Sequence, residues 1–382
     1  MRAVYQSGKK KLIWLVVICC FFLIAIVLPV RVKAQTENVL EYKKAVVLEV
    51  SDFDQTQPAQ AKIQKVKVQF LNNKEKVIAD FDNNPTFSTS NDRRINKGDK
   101  IIISYQMVDG QSKISLVDFD RGIQLIFLVL ICVILVLIIG AWTGAKSLIS
   151  FSWIGLILFG WLLPGILRGN NVYFMVIVSI VLIVFGTAIL LMGFTRRMLM
   201  VVGSSLFGVL VATLLTLLFG WWSRYSPSGQ EDLSLFRLSP VLSKLNLLDI
   251  IYASIMIGGV GSMMDMTISI VAGIEETVNT AQTKGIGRLD SKELFWTGLN
   301  IGRSVMAAET NTMVLAYFGS ALTLWLVALS QNYTWGLLIS FSMVFGELLR
   351  ILAVAVGIFS SIPMTAFLAA KLLVYNRKHG FE

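Results

Sequence analysis

Hydrophobic residues fall along the chain in two rhythms, and the rhythms divide it. From residue 122 onward they form long runs near 122–142, 147–167, 171–194, 198–221, 246–273 and 298–329, with a last run from 335 to about 374. Each reaches at least about 20 residues, the length a helix rising 1.5 Å per residue needs to cross about 30 Å of hydrocarbon. A further apolar run, 12–30, follows Lys9, Lys10 and Lys11 and reads as a first span with a cytoplasmic N-terminus. The rival reading is a signal peptide cut near Val32, Lys33 and Ala34. In both readings the chain that follows lies outside.

Residues 31–121 keep a shorter beat. Runs at 45–50, 63–71, 76–81, 100–105 and 113–119 are rich in Val, Ile and Phe and alternate with polar residues, which is strand periodicity. Asn72-Asn73, Asn83-Asn84-Pro85 and Lys97-Gly98-Asp99 are turn signals between them. A small extracytoplasmic all-β barrel or sandwich is expected there.

Charge orients the spans. Lys146, Arg196 and Arg197 fall in alternate loops, on the same side as the N-terminus. Trp221 and Trp222 mark an aromatic interface anchor before an outer loop at 222–245, which holds Pro227, Gly229 and Pro240. The polar stretch Glu275 to Lys292, with Gly285 and Gly287 as breakers, reads as the longest inner loop. The last run would be roughly 55 Å long as one helix, too long for one span and marginal for two. Lys371, Arg377, Lys378 and His379 prefer the cytoplasm, so a bent or interfacial portion is expected before a single crossing at 349–373. The prediction is an α-helical polytopic membrane protein of about eight transmembrane helices. Its parts are a cytoplasmic N-terminus (1–11), the first helix (12–30), the β domain (31–121), a multi-span domain (122–375) and a cytoplasmic tail (376–382).

Composition narrows the chemistry. The chain is 55% hydrophobic and 15% charged, with mean hydropathy +0.69. Its one histidine is His379, and Cys19, Cys20 and Cys132 all lie in apolar runs. Histidine-dependent triads, His or Cys metal sites and disulfide scaffolds are therefore not expected, and no cofactor or enzymatic activity is read here. The net charge of +10 is a topology signal, because residues 31–121 balance 15 Lys and Arg against 13 Asp and Glu; a nucleic-acid partner is not expected. No phosphate-binding loop or nucleophile elbow occurs, and Gly258-Gly259-Val260-Gly261 lies inside an apolar span.

What stands out is polar chemistry at membrane depth, where a charge costs several kcal/mol unless it faces protein or water. Asp265 lies in the sixth span, and Asn300, Arg303, Ser304, Glu309, Thr310, Asn311 and Thr312 crowd the seventh. Because these spans are consecutive and antiparallel, Asp265 and Glu309 are expected at similar depth. Small-residue stripes at Ser254, Gly258 and Ser262 and at Ser304, Ala308, Thr312, Ala316 and Ser320 would let the two helices approach. The seventh span is polar around most of its circumference, which predicts full burial or an unwound stretch.

Blander readings stand beside these. Arg303 suits headgroup snorkelling or a structural salt bridge to one carboxylate, and the amides suit interhelical hydrogen bonds. Asp249 suits a helix start, Glu347 and Arg350 an i,i+3 pair near a bend, and the methionines core filling.

The stretch from Gly258 to Ile270, with Leu299-Asn300-Ile301-Gly302-Arg303, Thr310-Asn311-Thr312-Met313-Val314-Leu315-Ala316-Tyr317 and the closing Pro363-Met364-Thr365-Ala366, resembles the YibE/F-like family of bacterial membrane proteins. The resemblance covers about 122–375. The extra first span and outer domain resemble the longer YibE-type member of a pair whose shorter partner is YibF-type. It implies a permease-type membrane protein and no particular substrate. Ser304 stands where an Asp commonly follows Arg303, and Ala307-Ala308-Glu309 where Gly-Thr-Met is common.

The functional expectation is a transporter or permease subunit of a bacterial plasma membrane, with both termini cytoplasmic. Asp265 and Glu309 would bind a cation or proton, Asn300, Asn311 and Thr312 would supply neutral ligands, and Arg303 would gate or balance charge. The expected partners are the lipid bilayer and either a YibF-type paralogous subunit or a second copy. The alternative is a non-transporting scaffold or assembly factor acting through its β domain. An intramembrane protease is remote, since its Gly-x-Gly-Asp signature is absent.

Overall fold

The structure, a computed structural model, describes residues 41–51, 64–70, 78–83, 95–108, 111–227, 242–284, 290–330 and 333–378. The expected first span and the C-terminal residues 379–382 lie outside the described residues, as does most of the 222–245 loop. The chain divides into two compact units between residues 135 and 136.

The first unit holds the five predicted strands, β1 (Glu41–Val50), β2 (Gln64–Phe70), β3 (Ile78–Asn83), β4 (Lys100–Val108) and β5 (Gln111–Phe119). They form one antiparallel sheet in the order β3-β2-β1-β4-β5, and its outer strands β3 and β5 approach each other. Alternation explains the core: Ala45 and Val47, Val66, Val68 and Phe70, and Ile101 and Ile103 point to one side and are buried together with Ile95. The β1–β2 register slips between Val47 and Glu49, a bulge that bends the strand. Lys44 Nζ donates to Asp120 Oδ2 over 2.8 Å, tying β1 to the residue just past β5. That ammonium, helped by the Gly122 N–H, holds the Asp120 carboxyl below its usual range.

From Gly122 onward the described chain is helical, and its first helix runs across the boundary between the two units. Helix α1 (Gly122–Gly155) continues through a π-helical turn (Leu156–Leu162) into α2 (Leu163–Leu167), and α3 (Val172–Met192) and α4 (Arg196–Trp222) follow. Then come α5 (Leu247–Gly258), α6 (Val260–Thr283), α7 (Ser291–Ser320), α8 (Leu322–Ser330), α9 (Trp335–Ser340) and α10 (Ser342–Lys378). Among the described residues, five stretches are long and apolar enough to cross a membrane: Gly122–Leu167, Val172–Met192, Arg196–Trp222, Leu247–Thr283 and Ser342–Leu372. A sixth, α7 with α8, qualifies only as a pair bent by 63°.

Seven spans were expected over the same residues, and the first of these stretches covers two of them. The 46-residue stretch Gly122–Leu167 was expected to be two spans with a loop between; it is helical throughout but broken at Ala141, whose φ is +44°. Residues eight apart in a straight helix stand about 12 Å apart along its axis. Here a Cβ on Gly144 would run into the Val136 carbonyl, so the backbone folds sharply between them, and glycine is what lets it come so close.

Other expectations shift. The polar stretch after Glu275 is not a loop up to Lys292: α6 runs on to Thr283, and α7 opens at Ser291 with a capping box in which Asp290 and Glu293 bond each other's backbone. The 246–273 run carries a one-residue interruption at Gly259, between α5 and α6, whose φ of −83° and ψ of −15° stay in the right-handed helical region. The 298–329 run bends at Ala321. The final run does carry a bend, at Phe341, whose ψ of 131° separates α9 from α10, but the helix beyond it starts earlier than 349.

The core sits where α4, α6 and α10 cross. Met263, Met266, Ile270, Ile274, Val354 and Ile358 are fully buried there. The crossing is tight because Gly208 meets Gly357: a Cβ on either would lie 2.9 or 2.8 Å from the other's carbonyl oxygen. Within it, the buried Ser205 and Thr267 hydroxyls bond at 2.9 Å. At one end Arg197 of α4 pairs with Glu275 of α6.

Candidate functional site

Helix packing sets the depth of each polar residue. Gly273 of α6 lies against Ile301 of α7, Gly302 against Ile270 and Gly298 against Ile274, so the two helices run antiparallel with Asp265 level with Glu309. Gly302 also meets Ile362, and Gly298 meets Ala366, on α10. Counting outward from those contacts puts Glu309 near the middle of the stretch Ser342–Leu372. Asp265 is exposed on α6 and Glu309 half-buried on α7. Neither carboxylate has an ion-pair or hydrogen-bond partner among the described residues.

The remaining expected site residues separate from this pair. Helix α7 is regular where they lie, neither unwound nor buried all round. At 100° per residue, Asn300, Ser304, Ala307, Ala308 and Asn311 form one side, and all five are exposed. Glu309 lies on roughly the opposite side, half-buried beside the buried Met313. Arg303 donates from Nη1 to Asn300 Oδ1 at 3.4 Å and pairs with neither carboxylate, so the salt-bridge reading is corrected. Thr312 turns its hydroxyl back to the Ala308 carbonyl at 2.9 Å, which leaves its oxygen lone pairs but not its proton for a ligand. The site the geometry brings together is Asp265 with Glu309; Asn300, Arg303 and Asn311 line a separate face.

A second polar cluster lies farther along α7. Arg350 of α10 faces Glu347 Oε1 at 3.4 Å, donates from Nη2 to Ser254 Oγ of α5 at 3.1 Å, and sits 6.0 Å from the centre of the Tyr317 ring of α7. Glu347 Oε2 and Arg350 Nε are buried without a partner among the described residues. Tyr317 fits because Gly258 leaves room for its hydroxyl. The spacing of Glu347 and Arg350 marks the pair in the sequence, but not the three helices it joins. Asp249 stands in the first turn of α5, as expected of a helix start, yet the N-cap is Asn246 and Asp249 accepts from the Tyr173 hydroxyl of α3 at 2.9 Å. Among the described residues no three His, Cys, Asp or Glu side chains gather where a metal could sit.

The membrane-length helices define a helical membrane protein, with Asp265 and Glu309 at mid-helix depth. The profile of the YibE/F-like protein family matches residues 128–375 of the 382, and the chain belongs to that family. Searches of curated proteins and of solved structures returned no match.

Proposed function

We propose that the protein is a subunit of a transporter or permease, and that the Asp265–Glu309 pair is its ion-binding site. The observation that carries this reading is that two carboxylates stand level on adjacent antiparallel helices, at mid-helix depth and without a cation from the described residues. Two such charges in hydrocarbon surroundings would cost several kcal/mol each, so a proton or a mobile cation must neutralise them. Oxygen ligands of this kind suit hard cations or protons. In this reading the membrane is a bacterial plasma membrane, both termini are cytoplasmic, the β sheet is extracytoplasmic, and Gly122–Leu167 crosses twice, turning at Ala141.

The exposed side of α7 supplies the partner. Asn300, Arg303 and Ser304 lie at the depth of Ile362 and Ala366 and Asn311 about two turns deeper, where polar side chains toward lipid are costly, whereas Ala307 and Ala308 between them allow a close helix. A YibF-type paralogous subunit or a second copy covers this face. Amides favour either, because each carries both a donor and an acceptor.

The test is flux of protons and of monovalent and divalent cations in proteoliposomes. Asp265→Asn and Glu309→Gln, in protein that inserts and folds normally, lower it at least about tenfold, as expected for loss of an ionic ligand. If both variants behave as wild type while deletion of residues 36–118 abolishes function in cells, the protein is a scaffold acting through its β domain.

A further inference from the structure

At the far end of α4 the chain ends a helix in an unusual way. The Tyr225 N–H bonds the Gly220 carbonyl at 2.9 Å and the Arg224 N–H bonds that of Trp221 at 3.1 Å, a paired closure that puts Arg224 at φ +52°. That left-handed position is ordinarily glycine's, because a Cβ there crowds the following carbonyl. Arginine holds it here against that strain, with no carboxylate partner among the described residues.

Arg224 borders a cavity of about 870 Å³, whose other walls are Leu217, Gly220, Trp221, Trp222, Tyr225, Leu248 and Tyr252. The size suits an organic ligand, and the lining is apolar and aromatic with one cation. Gly220 shapes it, since a side chain there would strike the Tyr252 hydroxyl. Tyr225 and Tyr252 stack at 6.3 Å to form the inner wall. Trp221 and Trp222 are 79% and 71% exposed at the end of a membrane-length helix, the position of an aromatic interface belt. A helix end of this kind lies at headgroup depth, so the cavity borders the headgroup region.

We propose that this cavity is a binding site for an anionic phospholipid, with the Arg224 guanidinium holding the phosphodiester through charge-assisted hydrogen bonds and the Trp and Leu walls packing the first acyl segments. A zwitterionic lipid fits less well, because its own ammonium competes for the phosphate. The proposal does not depend on the Asp265–Glu309 reading.

The full chain, held in nanodiscs of phosphatidylcholine with phosphatidylglycerol and released for native mass spectrometry, reports the retained lipid. Wild type retains phosphatidylglycerol preferentially, and Arg224→Lys keeps that preference. Arg224→Gly lowers it about tenfold, the scale of one charge-assisted bond, while thermal stability stays equal or rises because the backbone strain is relieved. An unchanged lipid ratio in a folded Arg224→Gly protein overturns the proposal. So does displacement of phosphatidylglycerol from wild type by millimolar inorganic phosphate, which would mean that the anion alone is recognised.

Discussion

Arg350 reaches Ser254 across 96 positions of chain, 3.1 Å from Nη2 to Oγ, and so joins α10 to α5 while Glu347 neutralises it from its own helix. The pair is held by packing, since Tyr317 covers the guanidinium. Arg350→Ala would leave Glu347 mostly buried and uncompensated, and removal of one partner from such a pair costs about 3 kcal/mol. A double Glu347→Ala/Arg350→Ala protein removes both charges and should recover a large part of that loss. Thermal unfolding of the three variants in one detergent checks this, and a double variant no better than Arg350→Ala alone would show that the Arg350 contacts act independently of Glu347.

The bend at Ala141 makes a topological prediction. Gly144 passes so close to the Val136 carbonyl that Gly144→Val cannot keep the turn. Single cysteines near 146 and near 197, in protein free of native cysteines, should be labelled by a membrane-impermeant thiol reagent from the same side. Labelling from opposite sides would mean that Gly122–Leu167 crosses an odd number of times.

The β sheet carries a pH dependence of definite sign. Asp120 is held below its usual range chiefly by the hydrogen bond from Lys44, so the contact stabilises the sheet above the ordinary carboxylate range and its contribution disappears as pH falls through the lowered value. Lys44 is 58% exposed, which keeps the effect under about 1 kcal/mol. Hydrogen exchange at β1 and β4 in the full chain, followed from neutral to acid pH, should lose protection less steeply in Asp120→Asn than in wild type. A parallel loss in both proteins would remove Asp120 from the account.

Buried hydroxyls between α4 and α6 give a smaller, cleaner effect. Thr267→Val keeps the shape but leaves Ser205 Oγ without its 2.9 Å partner. About 1 kcal/mol of stability should go, measured by unfolding in detergent. Ser205→Ala with Thr267→Val should cost less than the sum of the single changes, because the orphan is removed with its partner.

The strands were legible because alternation of Ala45 and Val47, Val66 and Val68, and Ile101 and Ile103 is itself the signature of a one-sided sheet. The spans Val172–Met192 and Arg196–Trp222 were legible because their uniform apolarity ends at Asn171, Gly193 and Thr195, residues that cap helices. The turn near Ala141 was legible in part, because the apolar runs 122–142 and 147–167 end on either side of Lys146, and so was a bend in the last run. The interruption at Gly259 was not, since nothing in hydropathy marks it and its backbone stays right-handed helical. The level pairing of Asp265 with Glu309 followed from counting residues along antiparallel helices. The separation of Asn300, Arg303 and Asn311 from it follows from helical phase, because at 100° per residue Asn300 and Asn311 fall on roughly the opposite side of α7 from Glu309 and Arg303 about a third of a turn away. The partners of Arg350 on α5 and α7 lie too far off in sequence to be read from spacing.

The claim that most needs testing is that Asp265 and Glu309 hold an exchangeable proton or cation inside the membrane. Carbodiimide reacts with protonated carboxyls in apolar surroundings, and peptide mapping after its reaction with the protein in proteoliposomes reads both sites at once. The account predicts labelling at Glu309 or Asp265 that falls as pH rises and is protected by the transported cation, with no labelling in an Asp265→Asn/Glu309→Gln protein. Labelling that ignores both pH and every cation tested, or that never reaches either residue, would contradict it.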